Sequence, residues 1–225
     1  MVFRFTYWYH FLLVLVSILI IISIFCGITS VSRSHSYIPK TGDGNGTGVF
    51  LLNDAYFPFL HEFIERVINE DSRHIAGVYV ADQFAFRVIE QPSGNSDYVS
   101  LDPYLLTEYS LAERFGTHGI LAHNYLAGKH FFDLEPGMQI IVVYADGKLG
   151  TFEVVEAHRF QALSPENVHS DFVALDGKTR TYSSTELFYK MYNNPGDLVL
   201  QTCIEKDGEW SWGRYFVIAE KMNEG

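Results

Sequence analysis

The sequence predicts a mainly β domain, a barrel or a sandwich with short helices, preceded by one N-terminal transmembrane helix. Apolar runs of strand length alternate with turn sequences over most of the chain, whereas helical spacing is confined to a few short segments. An uncharged apolar run near the amino terminus is followed by a glycine-rich stretch. Several strands joined by hairpin turns, with few helices, favour a barrel or sandwich for the remainder.

The composition is that of a globular protein and argues against a nucleic-acid partner. The 225 residues suffice for one domain plus an appendage, and 48% hydrophobic residues provide material for a core. A formal net charge of -11 disfavours phosphate binding, which needs clustered Lys and Arg. The two cysteines, Cys26 and Cys203, lie in an apolar run and near the far end of the chain, so we expect no disulfide between them.

The uncharged run extends from Phe5 to Ser32, and its apolar core, Phe11 to Ile28, is long enough to be a transmembrane candidate. Aromatic residues 7–9 precede that core, as at a membrane interface. The alternatives are a cleaved signal peptide, for which the run is long, and a lipoprotein anchor, which the bulky residues before Cys26 disfavour. We predict a retained single-pass anchor over residues 1–32 with the rest of the chain on the extracytoplasmic side. The flanking charges leave the orientation open.

A flexible linker is predicted to separate the anchor from the folded domain. Residues 33–48 include the segment IPKTGDGNGTG, which is rich in glycine and lacks apolar periodicity. The folded domain is then expected to occupy residues 49–225.

Helical spacing predicts three helices within this domain. Apolar residues recur at helical intervals over Asp54–Asn69, and a second such segment covers Leu105–Phe115. Ser183 and Glu186 have the spacing of a capping box, which predicts a short helix running to Tyr192.

Two hairpins are predicted from strand-like runs. Asp146-Gly147 is a strong turn signal between the runs Met138–Tyr144 and Leu149–Ala157. The polar segment Glu205–Glu209 separates two further runs, Asp197–Ile204 and Gly213–Glu220.

Cys203 is a candidate nucleophile because it ends an apolar run just before a polar turn. A free thiol is only a few per cent thiolate at neutral pH, so a nucleophilic cysteine needs a cation beside it. Arg214 opens the next strand, and pairing of the two strands would place it beside Cys203. Its guanidinium offers several donors to a developing oxyanion. The alternative for Cys203 is a small buried hydrophobe.

His123 is the candidate general acid, because it too ends an apolar strand, in the segment Gly119–Asn124. The other histidines lie in less distinctive settings. His118 and His123 are the candidates for a metal pair, but no cysteine or acidic ligand completes a zinc pattern around them. We therefore expect no metal.

Three segments together resemble the sortase family. The first comprises Gly119–Asn124 and the following Phe131–Ile140, which are similar to the sortase histidine block. Leu200-Gln201-Thr202-Cys203 matches the L-x-T-C segment, and Arg214–Glu220 matches the strand that begins with arginine. The resemblance covers about Gly77 to Lys221, in the family's order of His, Cys and Arg.

The resemblance implies an eight-stranded β-barrel and a two-step acyl transfer with no cofactor. Cys203 would attack a C-terminal sorting signal such as LPXTG on a surface protein, His123 would protonate the leaving amine, and Arg214 would stabilise the oxyanion. An amine from a cell-wall precursor or a pilin lysine would then take the acyl group. Leu200 and Thr202 are expected at the substrate pocket, although Thr202 is equally compatible with an ordinary strand position. Residues 160–196 would correspond to the region that selects substrates.

Departures from the family pattern affect subclass more than chemistry. Ala122 stands where many sortases have Gly, Val199 where Thr is common, and Gly137-Met138 where Gly-Asp is usual. Papain-like and L,D-transpeptidase motifs are absent from the sequence. The alternative function is a catalytically silent domain of the same fold that binds a peptide or a protein partner.

Overall fold

The computed structural model describes residues 50–52, 55–57, 59–69, 74–167, 169–177 and 180–222. They belong to a compact unit that spans Thr47–Gly225. The predicted anchor (1–32) and linker (33–48) lie outside the described residues and stay predictions. Within the described ranges, no helix combines the length and the apolar character required to cross a bilayer.

Twelve strands and four helical segments are described in these ranges. The strands are β1 (Phe50–Leu52), β2 (Ala55–Phe57), β3 (Ile75–Val80), β4 (Phe84–Glu90), β5 (Leu105–Glu108), β6 (His118–Leu121), β7 (Gln139–Tyr144), β8 (Leu149–Ala162), β9 (Phe172–Ala174), β10 (Thr181–Tyr182), β11 (Leu198–Lys206) and β12 (Glu209–Lys221). The helices are α1 (Leu60–Val67), α2 (Ser110–Glu113), α3 (Ser184–Tyr192) and a 3-10 helix (Ala127–Asp133).

Eight of the described strands close into a barrel, as the resemblance implied. The order around it is β8, β12, β11, β6, β5, β4, β3 and β7, and β7 pairs again with β8. The pairs β4–β5 and β6–β11 are parallel, and the others are antiparallel. Strands β9 and β10 continue the sheet outward from β8, and β1 and β2 form a separate short hairpin.

Side-chain alternation on β11 and β12 divides the apolar residues between two sides of the barrel wall. Leu198, Leu200 and Val217 belong to the interior cluster, where each is fully buried. Val199 and Phe216 belong to a second cluster on the outer side, and α3 packs against it. Full burial of such a side chain contributes roughly 1.5–3 kcal/mol. Both faces of this hairpin are therefore fixed, which sets its register firmly.

The predicted helix over Asp54–Asn69 is wrong in its first part. The observed helix α1 begins only at Leu60, and strand β2 occupies Ala55–Phe57. Pro58 is the physical reason, because proline disfavours helical backbone in the residue before it and is tolerated only in the first turn of a helix.

The predicted helix over Leu105–Phe115 is also wrong, since its first half is strand β5. Leu106 and Thr107 are completely buried, and β5 pairs with β4 on one side and β6 on the other. Only the single turn α2 remains helical. Pairing in the barrel overrides the local helical spacing.

The hairpin β7–β8 and the capped helix α3 are confirmed. Gly147 has φ +84° in the turn between β7 and β8, a conformation open to glycine. At the start of α3, Ser183 Oγ accepts a hydrogen bond from Glu186 N at 3.2 Å, and Glu186 Oε2 accepts one from Ser183 N at 2.8 Å. The two bonds satisfy backbone donors at the helix start.

The hairpin β11–β12 has a tighter turn than the predicted Glu205–Glu209. Lys206 pairs with Glu209, so only Asp207 and Gly208 form the loop, with φ 55° and 86°. Two consecutive residues with positive φ are typical of a type I′ turn, for which Asp-Gly is a preferred sequence. Both strands are consequently longer than expected and extend well beyond Cys203 and Arg214.

Candidate active site

Cys203 and Arg214 lie opposite each other on the β11–β12 hairpin. Their Cα atoms are register partners in the antiparallel pair. Side chains at directly opposite positions share one face of a sheet, with Cβ atoms about 4.5–5.5 Å apart. This face is the outer side of the barrel wall, because Val199 and Phe216, which share its parity, belong to the outer cluster. The structure thus brings the two residues that the sequence singled out to opposite positions on one face of the hairpin.

His123 lies in the segment that follows β6, the neighbour of β11 on the other side. Strand β6 pairs in parallel with β11, and the last register pair is Leu121 with Gln201. Ala122 N then donates to Gln201 O at 3.2 Å, which carries the ladder one residue further. Continuing this register by two residues from the last pair puts His123 level with Cys203. Cys203 and Arg214 on β11 and β12, together with His123 just beyond the end of β6, are called the row.

Leu200 and Thr202 lie on the opposite side of β11 from Cys203. Leu200 has no exposed surface and belongs to the barrel interior, and Thr202 is 2% exposed. The Thr202 hydroxyl donates to the Ala122 carbonyl at 2.8 Å. The structure does not bring these two residues to the surface occupied by Cys203. Thr202 instead holds the chain segment that precedes His123.

Gly128 allows the backbone to fold tightly behind His123. Its N–H donates to the His123 carbonyl at 3.0 Å. A Cβ atom at this position would overlap Thr202 Oγ1 and would lie 2.8 Å from the carbonyl oxygens of Ala122 and His123. The 3-10 helix that contains Gly128 closes this end of the barrel with the buried Ala127 and Phe131.

The imidazole of His123 is half-buried and is held by two neighbours. Burial lowers its pKa below the ordinary value, while a hydrogen bond with the Val99 backbone acts in the opposite direction. The ring of Tyr125 stacks on it, with centroids 5.2 Å apart and planes inclined by 23°. Sequence reasoning identified neither neighbour: Val99 gives no signal, and an aromatic residue two positions after a histidine is too common to give one. A lowered pKa leaves the imidazole mainly neutral at pH 7, ready to accept a proton.

The guanidinium of Arg214 is oriented by backbone carbonyls. Its Nη1 donates to Ser211 O at 3.2 Å and to Gly213 O at 3.0 Å, and its Cζ lies 5.7 Å from the centre of the Phe172 ring. No carboxylate of the described residues forms an ion pair with it. Glu205, a carboxylate near the end of β11, instead accepts from Gly208 N at 2.7 Å. A planar donor group held in this way suits an oxyanion better than a surface salt bridge.

A cleft of about 450 Å³ is lined mainly by residues of β8 and of the segment that leads to α3, and none of His123, Cys203 and Arg214 lines it. Phe160, one of its lining residues, is the register partner of Arg214 on β8. The walls combine aromatic side chains with both charge signs, from Glu156, His158, Arg159, Phe160, Asp176, Tyr182 and Lys190. They come from the predicted substrate-selecting segment 160–196 and from the end of β8 that precedes it.

His118 is separated from the row. It begins β6, five residues before His123, and its Nε2 lies 3.3 Å from the hydroxyl of Tyr144. Five residues of extended chain span about 16 Å. The two histidines that might have formed a metal pair are therefore apart.

Solved structures similar to this chain are sortases. They include sortase C-1 from Actinomyces oris, at 11% identity over 75% of this chain and 83% of that chain, with a TM-score of 0.47. Sortase C1 from Streptococcus suis has 11% identity over 73% and 81% of the two chains, with a TM-score of 0.46. Sortase E1 from Streptomyces coelicolor, with a tripeptide in the active site, has 17% identity over 67% and 89%, with a TM-score of 0.43.

No protein-family model matches the sequence, and no curated protein does. At these identities the similarity to solved structures concerns the sortase fold alone.

Proposed function

We propose that this chain is a sortase-type cysteine transpeptidase. The observation that carries the proposal is the cross-strand pairing of Cys203 with Arg214, next to the strand β6 whose following segment carries His123. It provides a base, a nucleophile and an anion-stabilising donor on one face, as covalent acyl transfer requires.

The first half-reaction forms a thioester. The Cys203 thiol gives its proton to the neutral imidazole of His123, and the sulfur attacks the carbonyl carbon of a peptide bond. The negative charge that develops on the carbonyl oxygen is stabilised by the Arg214 guanidinium. The C–N bond then breaks, the His123 imidazolium returns the proton to the departing amine, and the acyl group stays on Cys203.

The second half-reaction regenerates the thiol. An incoming amine attacks the thioester carbonyl and loses its proton to His123, the C–S bond breaks, and the thiolate recovers the proton. If water attacks instead, the outcome is hydrolysis. The same three residues serve both halves, because the second reverses the bond changes of the first.

The proposed substrates are surface proteins with a C-terminal sorting signal, and the proposed acceptor is an amine of a cell-wall precursor or a pilin lysine. The cleft lined by Phe160 supports a peptide substrate, since its walls combine aromatic and charged side chains and Phe160 is the register partner of Arg214. The predicted N-terminal anchor would place the domain on the outer side of a membrane, where such proteins emerge.

The test is direct detection of the thioester. The full chain, purified in detergent, is incubated with a set of sorting-type peptides and analysed by intact mass spectrometry. We expect an acyl adduct that maps to Cys203, disappears when a glycine-based amine is added, and is absent from Cys203→Ala.

Two outcomes would contradict the proposal. Peptide cleavage that persists in Cys203→Ala would exclude a covalent mechanism at this thiol. Tight peptide binding without any adduct would favour the alternative, a silent domain that only binds its partner.

A further inference from the structure

The loop that follows His123 contacts the far end of the β11–β12 hairpin. Asn124 Nδ2 donates to the backbone carbonyl of Trp210 at 3.2 Å. The rings of Tyr125 and Trp210 meet edge to face, with centroids 5.3 Å apart and planes inclined by 70°. Trp210 lies on β12, the strand that also carries Arg214. The loop that follows His123 is therefore attached to β12, the strand of Arg214, at a place away from His123, Cys203 and Arg214 themselves.

The contact with Trp210 involves the loop that follows His123, which the pairing of β6 with β11 does not hold. The parallel register of β6 with β11 stops at Leu121, two residues before His123. Hydrogen bonds from Leu126 N and Gly128 N, both 3.0 Å to the His123 carbonyl, fix the backbone but leave the side-chain torsions free. The ring orientation is set by the Val99 backbone on one hand and by stacking on Tyr125 on the other.

Tyr125 and Trp210 remain substantially exposed, at 47% and 56%. Large side chains that contribute to a core are normally buried more deeply, whereas these two contact each other at the surface. Their contact joins positions that strand pairing does not connect, and its inner end is the imidazole of His123.

We propose that Tyr125 and Trp210 form an aromatic clamp that positions the His123 imidazole against the hairpin carrying Cys203 and Arg214. Tyr125 covers one face of the imidazole, and Trp210 holds Tyr125 in place. Both are positioning residues, since they act on the reaction through His123. The expected effect of the clamp on catalysis rests on the proposed function, whereas its expected effect on the position of the His123 imidazole does not.

The physical test measures His123 without any substrate. The titration of His123 is followed by NMR in the full chain in detergent micelles, with Tyr125→Leu compared with Tyr125→Phe. Loss of the ring opens the imidazole to water, so its pKa should rise toward the ordinary value of about 6.5 in Tyr125→Leu and stay low in Tyr125→Phe. The other charged or titratable groups in the row are Cys203 and Arg214, which both variants retain.

The kinetic test follows transpeptidation. Tyr125→Leu should lower kcat about tenfold with KM nearly unchanged, because a misplaced acid-base group slows the chemical step. Trp210→Ala removes only the ring contact, since Asn124 bonds to the backbone carbonyl at that position. Trp210→Ala should therefore reduce kcat less, and should add little in the Tyr125→Leu background. Tyr104→Leu, at a residue that is 73% exposed, serves as the matched control.

The outcomes separate the clamp from the proposed function. An unchanged His123 titration in Tyr125→Leu overturns the clamp, and so do fully additive effects of Tyr125→Leu and Trp210→Ala on kcat. A shifted titration in a chain that never forms a thioester supports the clamp and overturns the function.

Discussion

Cys203 and Arg214 are direct cross-strand partners in a hairpin whose loop consists of two residues, Asp207 and Gly208. Their relative position is therefore set by backbone pairing and does not depend on a mobile loop. Both sides of the hairpin are packed, toward the barrel interior and toward α3. A donor group on such a frame is available to a developing charge without further reorganisation.

The first prediction separates the shape of Arg214 from its charge. Arg214→Ala should reduce kcat/KM by a factor of about 10²–10³, the usual effect of losing an oxyanion donor. Arg214→Lys should recover only part of this loss, because lysine keeps the charge and loses the planar fork. Steady-state kinetics of both variants checks it. A near-wild-type rate in Arg214→Ala would remove this residue from the mechanism.

The second prediction concerns the hydroxyl of Thr202, which donates to Ala122 O inside the barrel wall. Thr202→Val keeps the shape and leaves that buried carbonyl without the hydroxyl, so the free energy of unfolding should fall by about 1–3 kcal/mol. Thr202→Ser keeps the hydroxyl, so its free energy of unfolding should fall by less. Denaturant unfolding of the two variants measures both values, and equal losses of free energy would show that the methyl group matters more than the hydrogen bond.

The third prediction concerns pH and Glu108, at the end of β5. This carboxylate is 7% exposed, accepts a hydrogen bond from Ile75 N at 3.2 Å, and lies 3.7 Å from His74 Nδ1. Burial raises its pKa from 4.5 to about 7, against the opposing effects of the Ile75 bond and His74, with Glu113 and Glu90 adding to the rise.

Because the folded-state pKa of Glu108 is the higher one, the folded state binds the proton more tightly and loses stability as pH rises from about 4.5 to 7. Glu108→Gln should remove this loss. The free energy of unfolding of the variant, relative to that of the wild type, should therefore be higher at pH 8 than at pH 4.5 by up to about 3 kcal/mol. Denaturant unfolding at both pH values measures the difference, with Glu153→Gln on the exposed face of β8 as control. An equal difference at the two pH values would contradict the assignment.

The parts of the fold that local chemistry determines were predictable. Asp146-Gly147 marks the β7–β8 turn because glycine takes its positive φ, and Ser183 with Glu186 marks the start of α3. Helical spacing failed at Leu105–Glu108, where partners on both sides impose a strand. Strand pairing between distant segments cannot be read from one local pattern.

The site was predictable to the extent that chemistry and a family resemblance indicate it. Cys203 and Arg214 flank a turn, so their pairing follows from the hairpin. Alternation along β11 places Thr202 on the other face of the strand from Cys203, so the substrate contact expected for Thr202 from the family resemblance was not reliable. The contact of Asn124 with Trp210 spans 86 positions and leaves no local trace.

The short turn at Asp207-Gly208 also bears on the order in which the site assembles. Cys203 and Arg214 are eleven positions apart, whereas Ala122 and Thr202, which bring the histidine strand to the hairpin, are separated by 80. Hairpins close in about 1–10 μs, and contacts between distant segments wait for a larger loss of chain entropy. Cys203 and Arg214 should thus meet early in folding, and His123 should join them last. Under the proposed mechanism, the Cys203 thiol would stay unreactive until the barrel closes and His123 reaches it.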